Sequence, residues 1–358
     1  VSLRIAYVIN SLEGGGAALP VPSVTDVLRR NGADVRVLAL TQRDGRALPS
    51  MLDAGLNVVV RDGGEKDHLA AFAWLNGQAR AWRPTHIWTS LTRATLLGQL
   101  VGLRRRTPVV SWQHAAYLKP ANKVLLRALQ RRSRLWIGDS EAVTRLTAER
   151  LGVESARLMK WPIFRADPAA RRAEPWRPGE VLRIGSLGRL HPVKGYDVLI
   201  EALALLSATG VPYEAVVGGA GAQEDALKAL AQARGVRSIR FAGYVQDPGA
   251  FLSGLHLYLQ PSRSEGLCIA AHEAMQAGLP VIASAVGELP YSIEDGVTGR
   301  VAPAGDAAAL AGALSALLDH PERLATMGAA ARERVLDRFG PDRFEAAGVA
   351  VLDRLKTL

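Results

Sequence analysis

Short apolar, β-branched runs recur along the first half of the chain: LRIAYVI, VRVLAL, LNVVV, HIWTS, PVVSWQ and LWIGD. Between them lie segments of helical periodicity such as SVTDVLRRNG and EAVTRLTAERLG. Apolar strands that alternate with helices predict a parallel sheet covered on both faces, because parallel neighbours need a long crossover to join them. The rhythm restarts at VLRIGSLG and continues through YEAVVGG, SIRFAG, LHLYLQ, PVIAS and GRVA. The pattern therefore predicts an α/β chain of two doubly wound, Rossmann-like domains. Between them WPIFRADPAARRAEPWRPGE carries Pro162, Pro168, Pro175 and Pro178, which exclude a continuous helix or a central strand and mark a linker. The expected domains are residues 1–170 and 171–340. DRFEAAGVAVLDRLKTL, after Gly340-Pro341, reads as an amphipathic helix over 341–358 that packs back toward the N-terminal domain.

Composition narrows the class. A length of 358 residues suits two domains of about 150 residues each. With 48% hydrophobic and 22% charged residues, a disordered or fibrous chain is excluded. A single cysteine, Cys268, excludes disulfide frameworks and thiolate zinc sites. The best apolar run, Ala307 to Leu318, is bounded by Asp306 and Asp319 and is too short to span a bilayer. VSLRIAYVIN reads as a strand and not as a secretory leader, so a cytoplasmic location is expected. The net charge of +10 is uneven: residues 1–175 carry 27 basic and 14 acidic side chains, a balance of +13, whereas residues 176–358 carry 17 and 20, a balance of −3. Such asymmetry points to an anionic partner for the first half: nucleic acid, an anionic membrane surface or a phosphorylated substrate.

Doubly wound sheets bind ligands at the carboxyl ends of their strands, so the loops there are the candidates for chemistry. The first strand ends in NSLEGGGAALP, where Gly14, Gly15 and Gly16 permit a close approach of phosphate to backbone. The pattern is neither G-x-G-x-x-G nor a Walker A loop. The second domain opens with GSLGRLHPVKG, placing Arg189 and Lys194 on one post-strand loop, where fixed positive charge suits a departing diphosphate. In LYLQPSRSEGLCIAAHEAMQAGLPVIAS, Glu265 lies in a loop and Glu273 eight residues on, in a helix that starts near Cys268. Two carboxylates so placed can accept hydrogen bonds from different hydroxyls of one polyol, while amides at the helix start hold phosphate. The sequence has no Asp-x-Asp at a strand end and no carboxylate or His cluster at metal-ligand spacing, so neither a metal nor another cofactor is expected.

GSLGRLHPVKG, VVGGAGAQEDALKALAQARGVRSIRFAGYVQD, PSRSEGLCIAAHEAMQAGLPVIAS, GELP and GVTGRVAPAGD, in that order, resemble the C-terminal half of retaining, nucleotide-sugar-dependent glycosyltransferases of family four. These have the GT-B fold, two Rossmann-like domains facing a cleft, and an E-x7-E element, here Glu265 to Glu273. The first half matches through its Gly-rich loop, SWQHAA and DSEAVTRL, and generally holds the acceptor in this family. The resemblance implies that Arg189 and Lys194 bind the donor diphosphate, Glu265 contacts the donor sugar and Glu273 holds the ribose. It places the amides of Gly266, Leu267 and Cys268 on phosphates and sugar, and Tyr244 and Val245 beside the base. Gly15 and Gly16 match a loop that closes over the donor, and His114 a histidine near the reacting centre. In the departures, Ala17, Ala18 and Leu19 precede Pro20 and Pro22, His272 stands where an apolar residue is usual, and Tyr291 where Glu is common.

The resemblance implies transfer of a hexose from a nucleotide sugar to a glycan, lipid or lipid-linked acceptor. Other readings are a phosphorylase or sugar-nucleotide epimerase of the same fold, or a non-catalytic nucleic-acid-binding protein. The basic clusters lack interleaved aromatics, which places nucleic acid last. Residues 119–134, KPANKVLLRALQRRSR, form a cationic helix with an apolar stripe at Val124, Leu125, Ala128 and Leu129, and Arg104, Arg105 and Arg106 add a second cluster. Such a helix can lie on anionic lipid, at the inner face of the plasma membrane.

Overall fold

The computed structural model describes residues 3–114, 117–206 and 212–358. Two residues of the SWQHAA segment, 115 and 116, lie outside the described residues. The chain divides into two units, Val1–Arg165 with Asp342–Leu358, and Ala166–Pro341.

Among the described residues, the first unit forms a seven-stranded sheet from β1 (Arg4–Ile9), β2 (Asp34–Ala39), β3 (Asn57–Val60), β4 (His86–Ser90), β5 (Val109–Gln113), β6 (Leu135–Gly138) and β7 (Leu158–Lys160), in the order β3-β2-β1-β4-β5-β6-β7. The second has a six-stranded sheet from β8 (Leu182–Leu187), β9 (Tyr213–Gly218), β10 (Ile239–Gly243), β11 (Leu257–Gln260), β12 (Val281–Ser284) and β13 (Gly299–Ala302), ordered β10-β9-β8-β11-β12-β13. Neighbouring strands pair in parallel. Every short β-branched run singled out in the sequence is a strand, and the longer apolar run Ala307–Leu318 is a helix. The addition is β7, three residues long and half-exposed, too short to leave a pattern.

In both sheets the chain builds outward from a central strand and then returns to its other side, beside β1 in one unit and β8 in the other. The connections that leave β1 and β4, or β8 and β11, consequently diverge, and a crevice opens between them at the strand ends. That topology puts the Gly14 loop after β1, and the Arg189 loop and the Glu265 loop after the neighbours β8 and β11.

The central strands of each sheet are buried on both faces, and the edge strands β3, β7 and β10 are partly exposed. In the first unit Ala6, Val8 and Ile87 join an aliphatic cluster, while their neighbours Tyr7 and Trp88 stack at 6.1 Å on the other face. Trp112 meets Trp88 at 5.5 Å and Trp161 at 5.1 Å. Trp161, in the proline-rich stretch, is fully buried. The helix Pro341–Leu355 covers this aromatic face: Phe344, Gly348, Val351, Leu352 and Leu355 are buried on one stripe at helical spacing, and Phe344 lies 5.5 Å from Trp161. A Cβ on Gly348 would come within 2.5 Å of Trp161 and 2.7 Å of Val27, so only glycine lets the helix approach so closely. Gly348→Val is expected to cost about 1–3 kcal/mol by overpacking, read as an earlier urea midpoint; an unchanged midpoint would show that the helix does not depend on this contact.

Candidate active site

The chemistry of the second unit gathers at the carboxyl ends of β8 and β11. After β8, Pro192–Lys194 forms one turn of 3-10 helix and Gly195, at φ +67, starts the helix Tyr196–Leu205. A side chain at Gly195 would collide with the Pro261 carbonyl in the loop after β11. Glycine therefore allows the two loops to touch, and Lys194 Nζ donates to Glu265 Oε1 at 2.8 Å. The same oxygen accepts from Ser262 Oγ at 2.6 Å and Gln260 Nε2 at 3.2 Å. Gln260 is held in turn by Tyr258, whose hydroxyl donates to its Oε1 at 2.9 Å and accepts from the Leu187 amide at 3.1 Å. Glu265 is thus buried with one carboxylate oxygen compensated by three donors, as a charge held away from water requires. Burial, the largest single influence, pulls the Lys194 ammonium down, but the charge of Glu265, the influence of Cys268 and the hydrogen bond to Glu265 together outweigh it and the net displacement is upward. Arg189 is exposed, and its charge reaches Lys194 and opposes that rise.

Beyond Glu265 the chain turns through Gly266, Leu267 and Cys268 into the helix Ile269–Gln276. Cys268 caps this helix at φ +68. The amides of residues 266 to 268 have no acceptor among the described residues, so they are free to receive an anion. Glu273, two turns into the helix, contrasts with Glu265. Its side chain is half-buried and has no hydrogen-bond or ion-pair partner among the described residues. Desolvation raises its pKa from 4.5 to about 6. Perturbed carboxylates of this kind concentrate at functional sites. Tyr244 and Val245 follow β10; Tyr244 is exposed, and Val245 is close enough to Gly218 that a Cβ there would meet its Cγ2 at 2.6 Å.

In the first unit, His114 ends β5. Its Nε2 lies 2.8 Å from Ser90 Oγ at the end of β4, and its Nδ1 lies 3.4 Å from Asp139 Oδ2, directly after β6. Trp112 packs beside the ring at 5.3 Å. Burial pushes the Asp139 carboxyl up, while His114 draws it down less strongly. In the glycine loop, the Gly15 carbonyl accepts from the Ala18 and Leu19 amides, both at 3.1 Å, making one turn before the helix Val21–Arg30. Pro20 caps that helix and Pro22 sits in its first turn, where no intrahelical amide is needed. The prolines delay the helix without breaking it. A cavity of about 400 Å³ opens at the ends of β2 and β3, lined among others by Thr41, Gln42, Arg43, Arg61 and Asp62. The cations that line it are compensated: Arg61 pairs with Asp67, and Arg43 pairs with Glu13 and Glu65.

The structure gathers Lys194, Glu265 and the 266–268 amides at one place in the second unit, and sets Gly15, Gly16 and His114 on strand ends of the first. Gln260, Ser262, Tyr258 and Asp139 escaped the sequence reading. Their signal was a polar or acidic residue at the end of an apolar run, LYLQ or LWIGD. Among the described residues there is no group of three or more His, Cys, Asp or Glu able to hold a metal, and no helix long and apolar enough to cross a membrane.

A family model for "Glycosyl transferases group 1" matches residues 169–334. The D-inositol 3-phosphate glycosyltransferase of Streptomyces scabiei is 28% identical over 396 residues, covering 95% of this chain and 86% of that protein. The glycogen synthase of Mycobacterium tuberculosis is 31% identical over 294 residues, covering 74% of this chain and 67% of that protein. Among solved structures, Anabaena Alr3699/HepE in complex with UDP-glucose superposes with a TM-score of 0.83 at 20% identity, over 99% of this chain and 100% of that one. With a relative above 30% identity across two thirds of its length and a fold shared over almost every residue, the chain belongs to the group 1 glycosyl transferases and has the GT-B fold.

Proposed function

We propose that this glycosyltransferase moves a sugar from a nucleoside diphosphate to a hydroxyl-bearing acceptor with retention of configuration, as a family-four enzyme whose E-x7-E element is Glu265 to Glu273. The observation that carries this reading is the pairing of Lys194 and Glu265 across β8 and β11, with free amides after Glu265 and an unpartnered Glu273 on the next helix. Lys194 and Arg189 take the diphosphate, and the amides of Gly266, Leu267 and Cys268 assist them. Glu265, fixed by Ser262 and Gln260, addresses the donor sugar. Glu273 accepts the ribose hydroxyls, and Tyr244 and Val245 border the base. The Anabaena relative binds UDP-glucose, which makes a uridine nucleotide the first donor to test.

In this reaction the bond from sugar C1 to the β-phosphate oxygen breaks with its electron pair on the phosphate. The acceptor oxygen bonds to C1 on the same face, and its proton passes to the departing diphosphate. The cations stabilise charge that grows on the leaving group, which is where electrostatic preorganisation is most effective. His114, with Gly15 and Gly16, is the first domain's contribution to the reacting centre, and Asp139 orients the ring. Residues 1–170 form the acceptor domain. The cavity after β2 and β3 suits a hydroxyl-rich acceptor because its cations are already paired.

The cationic helix Pro120–Leu129 supports a further contact. It buries Leu126 and leaves Val124 and Leu125 67% and 49% exposed, so most of its apolar stripe is not used in packing. Lys119, Lys123, Arg127, Arg131 and Arg132 are exposed around it, each good for about 1 kcal/mol against anionic lipid. The enzyme thereby rests on the membrane that carries a lipid-linked acceptor. Vesicles of phosphatidylglycerol, but not of phosphatidylcholine, should co-sediment the protein, and V124D/L125D should abolish this; equal binding to both vesicles would reject the electrostatic part.

Two predictions address the donor site. In a thermal-shift panel of UDP, GDP and ADP sugars, the wild type should respond to at least one. Glu273→Ala and Lys194→Ala should each weaken that response about 10- to 100-fold in apparent affinity, the worth of a charge-assisted hydrogen bond. No response by the wild type would overturn the donor-site reading, and a full response by the variants would overturn the residue roles.

Glu273→Gln should also stabilise the unliganded protein. Because folding raises the Glu273 pKa from 4.5 to about 6, the unfolded chain ionises first as pH rises, and stability is lost between those values. Above pH 6 the loss reaches about 2 kcal/mol. Glutamine removes it, so the variant's advantage in urea midpoint should be near zero below pH 4.5 and full at pH 7. An advantage independent of pH would show that the carboxylate is not strained.

A further inference from the structure

We propose that His272 is a positioning residue for the donor loop, clamping the backbone of Cys268 to the segment that ends at Ser292. The proposal rests on the reading of Gly266–Cys268 as the donor's phosphate-binding turn. His272 is fully buried in the helix Ile269–Gln276. Its Nδ1 lies 2.8 Å from the Cys268 carbonyl oxygen and its Nε2 lies 2.7 Å from Ser292 Oγ. A carbonyl only accepts, so Nδ1 carries the proton and Nε2 accepts from the Ser292 hydroxyl. Burial holds the ring pKa down at about 4, which keeps this neutral tautomer in place. Phe339 closes the pocket edge-on at 4.8 Å.

Cys268 has cause to need a clamp. Among the described residues five that are not glycine have positive φ, and Cys268 is the buried one. A left-handed conformation at a residue with a Cβ is disfavoured, and here it stands where the donor loop enters the helix. The backbone amide of His272 reaches the Cys268 carbonyl at 3.4 Å, a long contact, so the imidazole N–H is the firmer of the two bonds holding that carbonyl. Ser292 ends the short helix Leu289–Ser292, and just before that helix the Glu288 amide donates to the Gly266 carbonyl at 2.9 Å. A side chain at Gly287, φ +57, would collide with the Glu265 and Gly266 carbonyls. The donor loop is therefore fastened to this segment at both ends, by Glu288 at Gly266 and by His272 at Cys268. An apolar residue at 272 could fill the space but could satisfy neither polar partner.

Cys268 is the chain's single cysteine and is buried, so its rate of modification by a thiol reagent such as dithionitrobenzoate reports the loop without any nucleotide. His272→Leu should raise this rate at least tenfold. Ser292→Ala should raise it less, and His272→Gln, which keeps an N–H donor, should restore much of the protection. Leu257→Ala, a core truncation under the same sheet, controls for general loosening at matched stability. The same variants are then tested for a thermal shift with whichever nucleotide stabilises the wild type, and His272→Leu should lose affinity several-fold while Leu257→Ala does not. Wild-type labelling in His272→Leu, or equal labelling in Leu257→Ala at matched stability, would overturn the clamp. Faster labelling with an unchanged nucleotide shift would overturn its role in positioning. A wild type that responds to no nucleotide would instead defeat the donor-site reading, with the thiol rates still judging the clamp.

Discussion

One carboxylate oxygen organises the second unit. Glu265 Oε1 accepts from Lys194, Ser262 and Gln260, and so ties the loop after β8 to the loop after β11. These loops leave adjacent strands in opposite directions, and without a link their facing groups would have no fixed spacing. A carboxylate out of water requires such donors, since an uncompensated buried charge costs several kcal/mol. The same requirement explains the chain of polar residues behind it, Gln260 and Tyr258, which would otherwise be ill placed at the end of an apolar strand. Close approach at Gly195 is the steric condition for the link.

Glu273 shows the opposite design. It sits on a helix of apolar and small residues and is given no partner, and burial raises its pKa. A charge left unsatisfied by the fold is one a ligand can satisfy, and its cost in stability is the counterpart of the role proposed for Glu273. His272, one residue earlier, is buried deeper yet saturated on both nitrogens. The two neighbours thus differ in kind, one with both nitrogens partnered and the other without a partner among the described residues.

The first unit distributes its charge differently. Its excess of cations is in part neutralised within the fold, through Arg61, Arg93 and Asp67 and through Arg43 with Glu13 and Glu65. The helix Pro120–Leu129 and the turn that follows it carry one group of the exposed cations, and Arg104, Arg106, Arg165, Arg171 and Arg172 are exposed elsewhere. The +13 balance of residues 1–175 consequently overstates the positive field available to a ligand in the cavity after β2 and β3.

Much of this was legible in the residue order. Apolar runs separated by helical segments specify parallel sheets because both faces of such sheets must be covered, and the Gly, Arg, Lys and Glu positions after those runs fall at strand ends for the same reason. The E-x7-E spacing marked both carboxylates, but nothing local distinguishes a saturated Glu265 from a bare Glu273. That difference depends on Lys194, 71 residues away in sequence and 2.8 Å away in the fold. The roles of Asp139 beside His114 and of Ser292 beside His272 are likewise set by which strands become neighbours. The sequence by itself determined the elements, the two sheets and the loops that bear chemistry, because periodicity and backbone preference are local. Only the tertiary structure decided which charges are paired, which are left without a partner and which histidine has both nitrogens engaged, because those states are fixed by burial and by partners that the chain brings from afar.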